Sequence, residues 1–262
     1  PTNVTIENLT IDRPTENFVG IFAITADFDE NGVGDGVTIK NIELNDIDVH
    51  GRTVVGGLVG GAGGTIKRVS VDGRVESEYQ QVGGIAGHGH DADLNNELVS
   101  RATVIGGQPV GVDTVGGDHP WQNGGGPNLG IGGIIGGTGG NTDVATAYST
   151  ATVRGNSGVG GITGWTSDFD STNKQMYWVG GTLDIEDPQR LYDASGRSPL
   201  YNDMPNQTDL RPGSIAGRME LDSDNFQSSV YADKAYNMVG ERKADSIGGI
   251  TLPPPNMTGP QV

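Results

Sequence analysis

One acidic segment of the chain carries oxygen donors at alternate positions, an arrangement typical of a calcium-binding turn. It reads DFDENGVGDG, and Asp27, Asp29, Asn31 and Asp35 could surround one hard cation, with a glycine at the sixth position for a sharp bend. The bidentate glutamate that an EF-hand needs at the twelfth position is missing, because Thr38 stands there. The segment therefore predicts a short calcium turn, with a solvated acidic turn as the alternative.

A second polar segment groups His88, His90, Asp91 and Asp93 within the string HGHDADLNN. Two histidines two residues apart on an extended chain point the same way, and such a pair could bind zinc or nickel. Nothing else in the sequence adds a ligand, so an ordinary polar loop is the favoured interpretation.

Aromatic side chains in irregular segments are the candidates for ligand contacts. Trp121 and His119 stand together in a glycine-dense stretch, and an exposed indole there could stack on a sugar ring or enter a partner's pocket. Trp165 and Trp178 belong to an aromatic-richer C-terminal part with the same potential. The alternative is that these aromatics cover an edge or cap the end of the fold.

A glycine motif returns along the chain at a fixed period. It reads VGGLVG from Val55, VGGIAG from Val82, IGGIIG from Ile131 and VGGITG from Val159, which gives steps of 27, 49 and 28 residues. The long step is one period of 27 residues plus about 22 extra residues, and a glycine- and proline-rich segment of about that length lies there. A repeat of this length predicts units that bury their faces against their neighbours.

Within each unit the apolar residues alternate with polar ones. The segments that start at Thr38 and at Thr65 are one period apart, and Ile66, Val69 and Val75 are expected to face inward. Short alternating runs broken by glycine and aspartate predict strands and corners instead of helices. Glycine at the corners is expected to supply positive φ angles.

The stretch DVATAYSTATVRGNSGVGGITG, from Asp143 to Gly164, resembles the GLUG repeat of bacterial surface and secreted proteins. The resemblance covers residues 4–165 and returns faintly near the C-terminus, where Ala232 stands at a position that is usually tryptophan in the family. It implies a right-handed parallel β-helix, as on adhesins and other exported proteins, and repeats that carry no catalytic residues.

The expected fold is therefore all-β, a right-handed parallel β-helix (solenoid) with loop insertions and an irregular C-terminal cap. Residues 1–165 would hold the GLUG-like repeats, with insertions near 27–36 and 106–128. Residues 166–262 would form aromatic-richer C-terminal coils, the cap and a tail.

The amino-acid composition of the chain limits the classes of partner and of chemistry that are expected for it. The net charge is −17 and cysteine is absent, so nucleic acid, anionic membranes, disulfides and thiol chemistry are all disfavoured. No apolar run is long enough to span a membrane. Since the sequence opens at Pro1 without methionine, a mature protein or an excised part of a larger chain or extracellular assembly is expected.

These observations favour a non-enzymatic, adhesin-type module at the cell surface or outside the cell. It would present loops on a rigid spine to a glycan or a cell-surface protein, with calcium as a stabilising ion. A structural stalk or filament subunit without a ligand is the first alternative. A polysaccharide lyase or hydrolase, as found on other parallel β-helices, is the second.

Overall fold

The structure is a computed structural model. It describes residues 3–25, 36–79, 81–107, 130–155, 158–166, 175–179 and 181–185, together with the backbone of short strands at 28–29, 32–33, 216–219, 230–232 and 239–242. Strands, turns and bends account for all regular structure in this part of the chain, so it contains no helix that is long and apolar enough to cross a membrane.

The strands follow one another in chain order. The first half of the chain contains β1 (Val4–Glu7), β2 (Thr10–Val19), β3 (Phe22–Ile24), β4 (Phe28–Asp29), β5 (Gly32–Val33), β6 (Thr38–Gly56), β7 (Val59–Ser77), β8 (Val82–Gly83), β9 (Ala86–Ser100) and β10 (Thr103–Gly106). The second half contains β11 (Ile131–Gly132), β12 (Ile135–Gly139), β13 (Asp143–Val144), β14 (Thr146–Ser149), β15 (Thr152–Gly155), β16 (Val159–Gly160), β17 (Thr163–Thr166), β18 (Gln175–Trp178), β19 (Thr182–Ile185), β20 (Ala216–Met219), β21 (Val230–Ala232) and β22 (Val239–Arg242).

Almost all of these strands pair in parallel, each with the strand one repeat away. The strands β6 and β7 pair from Thr38 with Thr65 through to Gly51 with Ser77. The exception is the antiparallel pair of β4 and β5. The all-β expectation and the repeat period are therefore confirmed, because the pairing follows the spacing of the glycine motif.

The repeat defines units whose equivalent strands pair in parallel with those of the next unit. We number them by their residues: the first unit is 4–24, the second 38–62, the third 65–89, the fourth 93–139 and the fifth 143–166. Equivalent residues of successive units lie in register and form columns. Parallel strands are about 4.8 Å apart, so each column repeats at that distance.

The core is a set of such columns made of aliphatic side chains. One column contains Val49, Val75, Val104 and Val153, which are buried and register-matched. Further buried columns contain Val55, with Val19 before it in register, and Leu58, and they continue through the motif of each later unit. A buried aliphatic side chain contributes roughly 1.5–3 kcal/mol, so the columns hold the units together.

The three glycines of each motif are required by space and not by backbone conformation. A Cβ at Gly83 would lie 2.2 Å from the carbonyl oxygen of Ala86, and one at Gly84 would lie 2.3 Å from that of Gly133 in the next unit. The positive φ expected of corner glycines occurs outside the motif, for example 129° at Gly73 and 58° at Gly158, and none of the motif glycines has a positive φ angle. Their carbonyl contacts show that a side chain would push neighbouring backbones apart.

Positive φ angles recur elsewhere in the units, at their corners and bends. Asn41, Arg68 and Glu97 have φ of 59°, 52° and 53°, at equivalent places in successive units. Phe18, Val54 and Gln81 form another equivalent set, at 57°, 56° and 66°. A backbone conformation with positive φ thus recurs in successive units, mostly at residues other than glycine.

The glycine argument predicts a sharp difference between two alanine substitutions. Gly84→Ala should destabilise the protein by about 3 kcal/mol or more, because its Cβ would meet a backbone carbonyl and the Ser100 hydroxyl, both at 2.3 Å. Gly139→Ala is the matched control: its nearest atom is Nε2 of His88 at 3.4 Å, and a change within about 0.5 kcal/mol is expected. Urea denaturation of the three proteins measures this, and equal midpoints for both variants would contradict the packing argument.

Candidate functional site

Two of the four predicted ligand-binding residues are part of the interior. Trp165 is 3% exposed and Trp178 is fully buried, where its indole Nε1 donates to the carbonyl oxygen of Ala151 at 3.4 Å. Trp165 lies in register with Gly137, whose missing side chain makes room for the ring. The expectation that these indoles line an exposed binding face is therefore replaced by a packing role.

The other predicted site residues lie outside the described part of the structure. This applies to Trp121 and His119, and to Asp27, Asn31 and Asp35 of the acidic segment. For Asp29 only the backbone is described, within β4, where it pairs with Gly32 of β5. The calcium and indole-stacking hypotheses for these residues stay predictions.

The histidine-aspartate segment forms a hydrogen-bonded corner between the third and fourth units. One carboxylate oxygen of Asp91 accepts from the backbone N–H of Asn141 at 2.7 Å and from its side-chain amide at 3.0 Å. The other carboxylate oxygen contacts Nδ1 of His90 at 3.0 Å. The hydrogen bond from the Asn141 backbone lowers the pKa of Asp91 below its ordinary value.

His88 belongs to the same corner but is enclosed by it. The residue is 1% exposed and stands in register between Gly61 and Gly137, the glycines of the adjacent units. Burial, with a smaller effect from His90, lowers the pKa of the His88 imidazole to about 3. Among the described residues, no group of three or more histidine, aspartate or glutamate side chains could hold a metal ion.

An aromatic row lies on the outer face of the stack and was not singled out from the sequence. Tyr148 of β14 is in register with Tyr177 of β18, which is in register with Tyr231 of β21. Tyr148 is 41% exposed and Tyr177 is 37% exposed. Because register-matched side chains point to the same face, the Tyr148 and Tyr177 rings occupy neighbouring positions about 4.8 Å apart, and the backbone of Tyr231 continues the same register.

Alternation along the strands explains why tyrosine and not tryptophan faces outward. Ala147 and Ser149, the neighbours of Tyr148, are buried, and so are Met176 and Trp178 on either side of Tyr177. Successive side chains of a strand point to opposite faces, so the tyrosines must lie outside. The signal was present in the sequence, since TAYS and QMYW align once the repeat is extended beyond the glycine motif.

Beside this tyrosine row, which we define as Tyr148 and Tyr177 with the backbone of Tyr231 in register, lies the uncharged polar residue Thr146. Thr146 of β14 is in register with Gln175 of β18, two positions before the tyrosines. Such a surface combines flat apolar rings with hydrogen-bonding groups. It suits a ligand that has both an apolar face and hydroxyl groups.

Comparison with known proteins adds no relative: no family model, no curated protein and no solved structure matches this chain. What the structure itself defines is an all-β protein with a mostly parallel sheet.

The buried imidazole gives a prediction about acid stability. The unfolded chain protonates His88 near the ordinary pKa of about 6.5, whereas the folded protein does so only near 3, so between these values the unfolded state binds more protons. Stability should therefore fall as the pH falls through this range, with a slope of up to about 1.4 kcal/mol per pH unit. Urea midpoints across the range measure it. His88→Leu should reduce the slope and His90→Gln should keep it; an unchanged slope in His88→Leu would contradict the assignment.

Proposed function

We propose that this protein is a non-catalytic glycan-binding module of the adhesin type, presented at the cell surface or outside the cell. Its scaffold would be a right-handed parallel β-helix, in keeping with the resemblance to the GLUG repeat. The observation that carries the proposal is the tyrosine row, in which Tyr148 and Tyr177 are exposed and in register on a rigid sheet.

A row of aromatic rings along the stacking direction suits an extended polymer. Each ring can cover the apolar face of one sugar, and the Thr146 side chain beside the row can bind a hydroxyl group. The rings are held by a paired sheet, so little ordering entropy is lost on binding. The net charge of −17 disfavours polyanions and leaves a neutral glycan as the preferred ligand class.

The alternative of a filament subunit is favoured by one observation and opposed by another. The first unit has no further unit beyond it among the described residues, and Val4 and Phe22 there are 53% and 40% exposed. Its long strand β2, however, contains Pro14, a register shift between Arg13 and Asn17, and charged side chains. Proline, bulges and charges are the devices that keep edge strands from pairing with another chain.

Electrophoresis in gels cast with neutral polysaccharides tests the proposal. The protein should be retarded without shortening the polymer. Tyr148→Ala and Tyr177→Ala should each weaken binding about tenfold, the equivalent of one lost stacking contact. Tyr79→Ala is the control, because that ring lies elsewhere, beneath the Arg52 guanidinium at 5.6 Å. Undiminished retardation of a folded Tyr148→Ala/Tyr177→Ala protein would refute the site, and a shortened polymer would favour the enzyme hypothesis.

The calcium hypothesis has its own test. If Asp27, Asp29, Asn31 and Asp35 hold a calcium ion, a chelator should lower the melting temperature, because an ion that binds only the folded protein stabilises it. The Asp29→Ala protein should no longer respond. Calorimetry with and without chelator measures both, and an unchanged melting temperature of the unaltered protein would rule the ion out.

A further inference from the structure

Two lysines stand side by side on neighbouring strands of the stack. Lys40 of β6 and Lys67 of β7 are register partners, so their backbones are about 4.8 Å apart. Lys40 is exposed and Lys67 is half-buried. Within the described part of the chain, none of the ion pairs includes either lysine. Like charges directly opposite each other destabilise a sheet, so the two ammonium groups repel each other without compensation.

Protection of a sheet edge explains only one of these two lysines. Strand β1 begins to pair with β6 at Ile42, so Lys40 lies before the paired part and has no described strand on that side. A charged residue at such a place keeps the edge from pairing with another chain. Lys67 has no edge to protect, because it has register partners on both sides, Lys40 and Asn96. The second lysine therefore needs another explanation.

A third cation is fixed in place beside the lysines. Arg68 follows Lys67 and is exposed, and its φ angle of 52° bends the chain there. Its Nε donates to Oδ1 of Asn41, a residue that is only 8% exposed. Because this hydrogen bond uses only Nε, the two terminal nitrogens of the guanidinium remain to bind a ligand.

Two hydroxyl groups lie next to the lysines. Thr38 and Thr65 are register partners and stand two positions before Lys40 and Lys67, so the four side chains share one face of the sheet. We call Thr38, Lys40, Thr65, Lys67 and Arg68 the basic patch. Ammonium, guanidinium and hydroxyl groups are the donors that bind a carboxylate, and an anion between the lysines would also relieve their repulsion.

Acidic side chains border the basic patch without neutralising it. Asp93 is the register partner of Thr65, and Glu43 is the register partner of Ser70. Neither acid forms an ion pair with the patch in the described part of the chain. The net charge of −17 repels a polyanion at long range, whereas converging cations can still hold an isolated carboxylate at contact distance.

The basic patch lies beside the continuation of the tyrosine row. Tyr148 is in register with Val99, and Val99 with Ser70, so Ser70 lies two strands from Tyr148, about 10 Å away across the sheet. Arg68 stands two residues before Ser70. A polymer that stacks on the tyrosine row and continues over Val99 and Ser70 therefore passes the patch.

We propose that the basic patch binds a carboxylate group of the glycan, which makes the ligand a largely neutral polysaccharide with isolated acidic sugars. This ligand assignment rests on the proposed function, because the tyrosine row supplies the stacking and the patch recognises the charge. Two lysines and a positioned arginine match one or two carboxylates in a small area and not a long run of them.

Amide NMR of the whole protein tests the basic patch independently of the tyrosine row. Galacturonate and galactose are matched probes, because they are the same sugar with and without a carboxylate. Galacturonate should shift the amide signals of residues 38–41 and 65–68, and galactose should leave them in place. An absence of these shifts in the unaltered protein would overturn the proposal.

Two double variants assign the response to the lysines. In Lys40→Gln/Lys67→Gln the shifts at equal galacturonate concentration should fall about fivefold, as expected for the loss of two charged contacts at the surface. Arg101→Gln/Arg154→Gln is the control, since it removes the same total charge from exposed residues elsewhere on the stack and should keep the shifts. Equal losses in both double variants would reduce the effect to net charge and refute the patch.

Gels cast with a neutral polysaccharide, and with the same polymer after partial oxidation of its primary alcohols to carboxylates, connect the patch with the row. The oxidised polymer should bind about fivefold more tightly, and Lys40→Gln/Lys67→Gln should remove only this gain. Equal retardation by both polymers would refute the patch and leave the proposed function intact. Retardation by the oxidised polymer alone, unchanged in Tyr148→Ala/Tyr177→Ala, would refute the tyrosine site and with it the shared ligand.

Discussion

The whole stack depends on how closely successive units approach each other at the glycine motif. The carbonyl oxygen of Gly133 lies where a Cβ at position 84 would be, and the same relation recurs between Gly133 and the carbonyl of Gly161. Strand pairing needs a separation of about 4.8 Å, and only glycine permits it where the chain also turns. This contact at the glycine motif sets the register of the paired strands that flank the motif.

The same constraint determines where large side chains can be buried. The interior is thin and is filled with valine, isoleucine and leucine in columns, so a bulky ring fits only where its neighbours in the column are small. His88 lies between Gly61 and Gly137, and Trp165 lies over Gly137 from the other side. This enclosure deprives the His88 imidazole of water, which is why it resists protonation.

The glycine repeat and the alternation allowed the all-β class and the repeat period to be predicted from the sequence. The candidate binding site, the tyrosine row, was harder to predict from the sequence than the fold class. Trp178 is the larger aromatic residue and attracts attention, but alternation directs it inward and leaves Tyr177 outside. The row becomes visible only when Tyr148, Tyr177 and Tyr231 are placed in register, because their spacings of 29 and 54 residues are unequal.

The sequence by itself determined an all-β chain of stacked units, because glycine spacing and alternation act locally and repeat. The tertiary structure decided which polar residues meet: Asp91 with Asn141, and His50 with both Asp12 and Glu78. These partners are separated by 28 to 50 residues in the chain. Insertions of unequal length shift the units relative to the sequence, so such contacts follow from strand register in space and not from any local pattern.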